Sequence, residues 1–186
     1  ILYSASQGNT TVIIKQSVFG IIGVLLFFII SQPDPDLYRR FAPLVLIIAM
    51  ALSLVAYFFG PEINGAKRWI KVASFSFQPS ELLKLSLPLF LAAFLHDKKL
   101  PISLKETLIS LFIIIICFLI VSSQPDLGTA LIIGAAGLFV LFLAGLSWVF
   151  IGTSFAAMII CSPYIWNNLL EPFQKARIAT LLNPDA

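Results

Sequence analysis

Ser122-Ser123-Gln124-Pro125-Asp126-Leu127-Gly128-Thr129 interrupts an almost unbroken apolar run between positions 108 and 166, and how that interruption is read decides the fold. The segments on either side are long enough to cross a bilayer, which takes about 20 predominantly apolar residues. Between them, Gln124 can serve as a helix N-cap and Pro125 suits the first helical position. Asp126 then falls in the first turn, where an acid complements the helix dipole. Two readings fit. In one, the octet is a tight turn with a well-made helix start. In the other, Asp126 is an inward-facing acid at the rim of a membrane bundle and marks a functional site.

Composition favours the membrane. The 186 residues are 59% hydrophobic and 11% charged, with a mean hydropathy of +0.99. A soluble domain carries roughly 25% charged residues. The net charge of +3 is small and dispersed among apolar segments, which argues against a nucleic-acid partner. Cys117 and Cys161 both sit inside apolar segments and read as small packing residues, so no disulfide is expected. Residues 1–6 lack the basic region of a signal peptide and read as the tail of a preceding helix. The chain is therefore expected to be a piece, cut at both ends.

Working outward from the octet, apolar length gives spans at 107–122 before it and 127–145 after it, then 149–166, where Pro163 offers a kink near the end. Ala130, Gly134 and Gly137 supply the small residues that let membrane helices approach closely. Upstream lie spans at 12–30, with Lys15 placed to snorkel, at 41–59, and at 79–95, which carries Glu81 and Lys84. The connections are a loop at 31–40 and a polar stretch at 60–77 with the turn signal Asn64-Gly65. A second basic loop follows at 96–105. The expected fold is an all-α, polytopic transmembrane helical bundle of about six full spans plus the end of a preceding one. It forms a single, partial transmembrane domain over residues 1–186.

Gln-Pro recurs evenly at Gln32, Gln78 and Gln124, but one span separates the first two copies and two spans separate the last two. The spacing is read as accidental. The copies at Gln78 and Gln124 nevertheless fall on one membrane face, which makes Glu81, Lys84 and Asp126 potential neighbours. Charge does not orient the bundle, since five basic residues on one face oppose six on the other. An anionic ligand at the outer face and ordinary interfacial anchoring both explain that balance.

Glu81 and Lys84 stand three apart on a helix, share a face and can pair. As a rim-level ion pair they only make two polar groups tolerable at the interface. As interior charges they mark a cavity. In Gly65-Ala66-Lys67-Arg68-Trp69, two cations stand beside an aromatic suited to the headgroup level. The arginine fork fits diphosphate oxygens, and Lys67 or Lys71 adds point charge. Thr129 lies one short turn beyond Asp126, where it can hold the acid, contact a ligand, or bond back to the preceding turn. His96, between its span and Asp97, reads as solvated. The sequence offers no Gly-rich phosphate loop, Cys/His metal cluster or Ser/His/Asp arrangement.

Gly65-Ala66-Lys67-Arg68-Trp69, then Phe77-Gln78-Pro79-Ser80-Glu81-Leu82-Leu83-Lys84, then Gln124-Pro125-Asp126-Leu127-Gly128-Thr129 resemble the successive motifs of the SEDS family (shape, elongation, division and sporulation). Leu100-Pro101-Ile102-Ser103-Leu104-Lys105 and Leu141-Phe142-Leu143-Ala144-Gly145-Leu146-Ser147-Trp148 are closer to its elongation branch than to its division branch. The resemblance implies a multi-pass inner-membrane peptidoglycan glycosyltransferase. Such an enzyme polymerises lipid II in partnership with a class B penicillin-binding protein. It also implies that residues 60–77, 124–126 and 167–186 face outward, with 31–40 and 96–105 in the cytoplasm.

By the same resemblance, Glu81, Lys84 and Asp126 line a central polar cavity as the catalytic-site candidates, with Asp126 in a supporting role. Arg68, Lys67, Lys84 and Thr129 are the substrate-binding candidates. The resemblance allows a divalent cation beside the diphosphate, and no ligand set in the chain demands one. The leading candidate base of the family lies in an outer loop beyond residue 186, so this stretch alone is expected to be inactive. A lipid flippase and a non-catalytic scaffold of the elongation machinery remain as alternatives.

Overall fold

The computed structural model describes residues 10–63, 66–72, 75–168 and 175. Among them are six helices and one small hairpin: α1 (Thr10–Ser31), α2 (Pro35–Phe59), β1 (Ile70–Val72), β2 (Phe75–Phe77), α3 (Pro79–Leu95), α4 (Leu104–Ser122), α5 (Leu127–Leu143) and α6 (Trp148–Asn168). Each expected span has its helix. The expected helix end at residues 1–6 and the turn at Asn64-Gly65 lie outside the described residues, as do 169–174 and 176–186.

The chain divides into two compact units, Ile1–Tyr38 and Arg39–Ala186. In the first, Ser31 Oγ donates to the Phe28 carbonyl at 2.9 Å, and the Tyr38 hydroxyl donates to the carbonyl of Ile30. The loop expected over 31–40 is shorter than that. Pro35 opens α2, the Leu37 amide donates to the Asp34 carbonyl at 2.9 Å, and Asp36 sits in the first turn. Asp34-Pro35-Asp36 is a helix start, because proline lacks only an amide hydrogen that a first turn leaves unpaired. Arg39 and Arg40 are thus helical.

The second unit is built on close helix contacts. Ala42, Leu46, Ala49, Ser53 and Ala56 form one buried stripe of α2 at helical spacing. Leu83, Leu87 and Leu91 of α3 meet Ile114, Cys117 and Val121 of α4 and Ala130, Ile133 and Leu141 of α5 in one core. Cys117 packs there as expected. Cys161 does not, and every described side chain of α6 around it is exposed. α6 also runs on through Pro163 to Asn168.

Two loops lock the end of this bundle opposite the hairpin. α5 stops at Leu143 rather than Gly145, because Gly145 takes φ +94 and the Gly145 and Leu146 amides donate to Phe142 and Leu141 carbonyls at 3.0 Å. That is a Schellman C-cap, and it needs a glycine at the left-handed position. The Ile102 amide then donates to the Ala144 carbonyl at 3.3 Å.

Among the described residues two helices, Pro35–Phe59 and Leu104–Ser122, are long and apolar enough to cross a membrane, and only 28% of each apolar window is buried. Apolar helices of that length exposing most of their surface suit a lipid solvent, in which backbone groups pair within the helix and side chains need no polar cover.

Gly137 marks a close helix crossing. A Cβ there would stand 2.6 Å from Ile114 Cγ1 and 3.4 Å from Leu87 Cδ2, whereas one at Gly134 would meet Phe118 at an ordinary 3.6 Å. Gly137→Val is expected to cost the detergent-solubilised, full-length protein about 1–3 kcal/mol, through overpacking. Gly134→Ala is expected to stay within about 0.5 kcal/mol. Thermal unfolding of the two variants checks the contrast.

Candidate functional site

The site forms where three connections meet at one end of the second unit. α2 ends at Gly60, whose amide donates to the Ala56 carbonyl at 2.9 Å. A Cβ on Gly60 would lie 2.7 Å from the Trp69 carbonyl and closer still to Ala56. Glycine is therefore what lets the strand of chain carrying Arg68 and Trp69 lie against the helix end. The stretch expected as a plain polar connection contains structure of its own. Ile63 and Ala66 exchange backbone hydrogen bonds at 3.0 and 3.2 Å, and β1 pairs antiparallel with β2. The hairpin returns the chain to α3 with Gln78 just ahead of Pro79.

Asp126 is the centre of the arrangement. Its Oδ2 lies 3.5 Å from Arg68 Nη1 and accepts a hydrogen bond from Gln78 Nε2 at 2.9 Å. Its Oδ1 accepts from the Thr129 amide at 3.3 Å, which makes Asp126 the N-cap of α5. The side chains of Arg68 and Asp126 are only 14% and 12% exposed. Arg68 Nε is buried without a hydrogen-bond acceptor, so the guanidinium keeps donor capacity beyond Asp126.

This geometry corrects the expected helix start. Gln124 does not cap the helix and Pro125 does not begin it: the helix starts at Leu127 and Asp126 caps it. A short aspartate carboxylate can turn back to the third amide of the helix, which is the ordinary capping geometry. Gln124 is committed elsewhere, since its side chain is buried and Nε2 donates to the Ser53 carbonyl of α2 at 2.8 Å. The pair expected within one helix is present. Lys84 Nζ binds Glu81 Oε1 at 2.8 Å within α3, as spacing predicted, while Asp126 pairs with Arg68 and not with Lys84. Thr129 holds the acid through its backbone amide.

Beside the pair lies a cleft of about 270 Å³, lined by Tyr57, Glu62, Lys67, Ser123, Gln124 and Pro125 among others. Lys67 is exposed at its edge. Two of the sequence candidates, Arg68 and Asp126, are thus in direct contact, and Thr129 joins them through its main chain. Glu81 and Lys84 form a separate, wetter pair, with Glu81 55% exposed. His96 is exposed beside Asp97, as its position suggested. The residue that sequence reasoning missed is Gln78. Its signal was present, because the Gln-Pro copies at 78 and 124 both put the glutamine of a connection against another element.

Among the described residues no three His, Cys, Asp or Glu side chains gather as a metal site. Glu81 and Asp126 are each paired with a cation, so this donor set does not fit a divalent ion.

Comparison with known proteins resolves the family. The FtsW/RodA/SpoVE family model, described as a cell cycle protein, matches residues 1–186. The chain belongs to that family. Among relatives, it is 38% identical over 165 residues to the peptidoglycan glycosyltransferase MrdB of Escherichia coli strain K12, covering 89% of this chain and 45% of the relative. It superimposes on a chain of a peptidoglycan synthase complex that coordinates polymerisation and crosslinking, with TM-score 0.80 and 28% identity over 96% of this chain and 53% of that one. It also matches the rod shape determining protein RodA of Thermus thermophilus, with TM-score 0.74 and 26% identity over 85% and 52% of the two chains. The chain thus spans about half the length of the FtsW/RodA/SpoVE relatives it matches.

The two ion pairs should separate in energy. Asp126→Ala leaves a largely buried arginine unpaired and removes a helix cap, a loss of about 2 kcal/mol or more. Glu81→Ala breaks a pair that water screens, costing about 0–1 kcal/mol. Thermal unfolding of the full-length protein in detergent measures both.

Proposed function

We propose that the full-length protein is a peptidoglycan glycosyltransferase that polymerises lipid II during cell elongation and rod-shape maintenance, and that the Asp126 cluster is part of its lipid-diphosphate site. The observation that carries this reading is the recessed Asp126–Arg68 pair. It holds an arginine whose Nε has no acceptor beside a cleft edged by Lys67 and Glu62, at the end of a bundle whose flanks are apolar. Membership of a family whose relatives are named glycosyltransferases supports it.

Six helices crossing the inner membrane would put residues 60–77 and 124–126 on the outer face. There the apolar flank accommodates a polyprenyl chain, and the cationic end takes its diphosphate. The acceptor sugar's 4-hydroxyl attacks the anomeric carbon, its proton passes to a base, and the bond to the diphosphate breaks to release undecaprenyl diphosphate. Arg68, Lys67 and Lys84 stabilise the charge that builds on the leaving group, an effect strongest where water is excluded. Asp126 already accepts from Arg68, Gln78 and Thr129, so it orients Arg68 and leaves proton removal to another group. A class B penicillin-binding protein is the expected partner in crosslinking the product.

Purified full-length protein in detergent should polymerise lipid II with no leaflets to flip between. Asp126→Ala should lower the rate about a hundredfold or more, and Lys84→Ala should weaken binding of undecaprenyl diphosphate about tenfold. Absence of polymer from wild-type protein, with lipid movement retained in vesicles, would instead make it a flippase. Unchanged rod shape with both substitutions would make it a scaffold.

A further inference from the structure

We propose that Gln78 is the positioning residue of this site: its side-chain amide, aimed by Ser80, holds the Asp126 carboxylate in the orientation from which Asp126 grips Arg68. The catalytic consequence rests on the function proposed above. The contact itself rests on geometry. Gln78 Nε2 stands 2.9 Å from Asp126 Oδ2 and 2.9 Å from Ser80 Oγ. A carboxylate only accepts, so the group facing it must be the amide nitrogen, which fixes the orientation of the amide.

One amide hydrogen reaches Asp126 and the other reaches Ser80, which is 1% exposed in the first turn of α3. Pro79 keeps Gln78 out of the helix, at φ −104 and ψ 109. From that extended residue the side chain crosses to a loop 48 positions away.

The charged groups around Gln78 are few. Arg68 approaches the same carboxylate oxygen at 3.5 Å. Glu81, whose amide donates to the Gln78 carbonyl at 3.1 Å, is paired with Lys84 at 2.8 Å. Gln78 therefore faces one acid and adds no charge of its own. Oδ2 is shared between Gln78 at hydrogen-bond distance and Arg68 at a looser one, so the glutamine sets the carboxylate's rotation and the arginine follows it.

Gln78→Glu tests this in the full-length, detergent-solubilised protein, because it changes charge and hydrogens but not shape. At about pH 7.5 the new carboxylate opposes Asp126 with no hydrogen to give. At about pH 5.5 protonation of the introduced carboxyl, favoured by the acid it faces, returns a donor. Relative to wild type at the same pH, lipid II polymerisation by Gln78→Glu should fall about tenfold or more at the higher pH and recover several-fold at the lower. Gln78→Leu, which offers no donor at either pH, should lose activity equally at both.

The thermal midpoint should follow the same pattern, and measured against Asp126→Asn alone the double variant should show no high-pH deficit in that midpoint. Wild-type activity in Gln78→Glu at pH 7.5, or a deficit indifferent to both pH and residue 126, would overturn the proposal. If wild-type protein forms no polymer, the proposed function falls and the thermal cycle decides alone. A pH-dependent deficit cancelled at residue 126 then upholds the contact, and one that is not cancelled overturns it.

Discussion

The carboxylate of Asp126 gathers donors from three separated parts of the chain: Arg68 from the segment after α2, Gln78 from the doorstep of α3, and the Thr129 amide from α5. An acid this shielded from water is tolerable only where donors surround it, since burying an unpaired charge is far costlier than burying a satisfied one. The surrounding architecture can be understood as what brings those donors together. Gly60 lets the arginine-bearing segment lie against a helix end, the hairpin turns the chain back to Gln78, and Gln124 ties the Asp126 loop to α2.

Below that polar end the bundle is apolar and tightly crossed. Gly137 brings α5 within reach of α3 and α4, and a shared core of leucine, isoleucine and small residues fills the space between them. Rigidity of this kind matters for a site made of three connections. Each donor sits on or next to a helix end, so the distances at Asp126 follow from how the helices pack. The flanks of the long helices stay apolar and exposed, as a lipid surroundings requires.

Much of this was legible in the sequence, and for definite reasons. Apolar length located each of the six helices, because a bilayer imposes that length directly. Three-residue spacing gave the Glu81–Lys84 pair. The motifs around Arg68 and Asp126 named both partners of this ion pair but not their contact, since no local rule joins positions 58 residues apart in sequence. A shared membrane face makes Glu81, Lys84 and Asp126 potential neighbours, yet the cation that Asp126 meets is Arg68. Arg68 comes from the stretch just before the hairpin, which the sequence marks only as a polar connection with a turn signal. The N-cap was misplaced by two residues for a similar reason: Gln124 has a tertiary commitment to Ser53 that outweighs its local option. Gln78 was passed over because an amide without charge attracts no attention until its partner is seen.

In the proposed site Asp126 acts through Arg68. A double-mutant cycle on lipid II polymerisation by the full-length protein, pairing Asp126→Asn with Arg68→Gln and separately with Lys84→Gln, tests it most directly. Contacting groups that act as a unit should be strongly non-additive. The prediction is that adding Arg68→Gln to Asp126→Asn costs little further rate, whereas adding Lys84→Gln multiplies the two losses. Multiplicative losses for Asp126 with Arg68, and non-additive losses for Asp126 with Lys84, would contradict it.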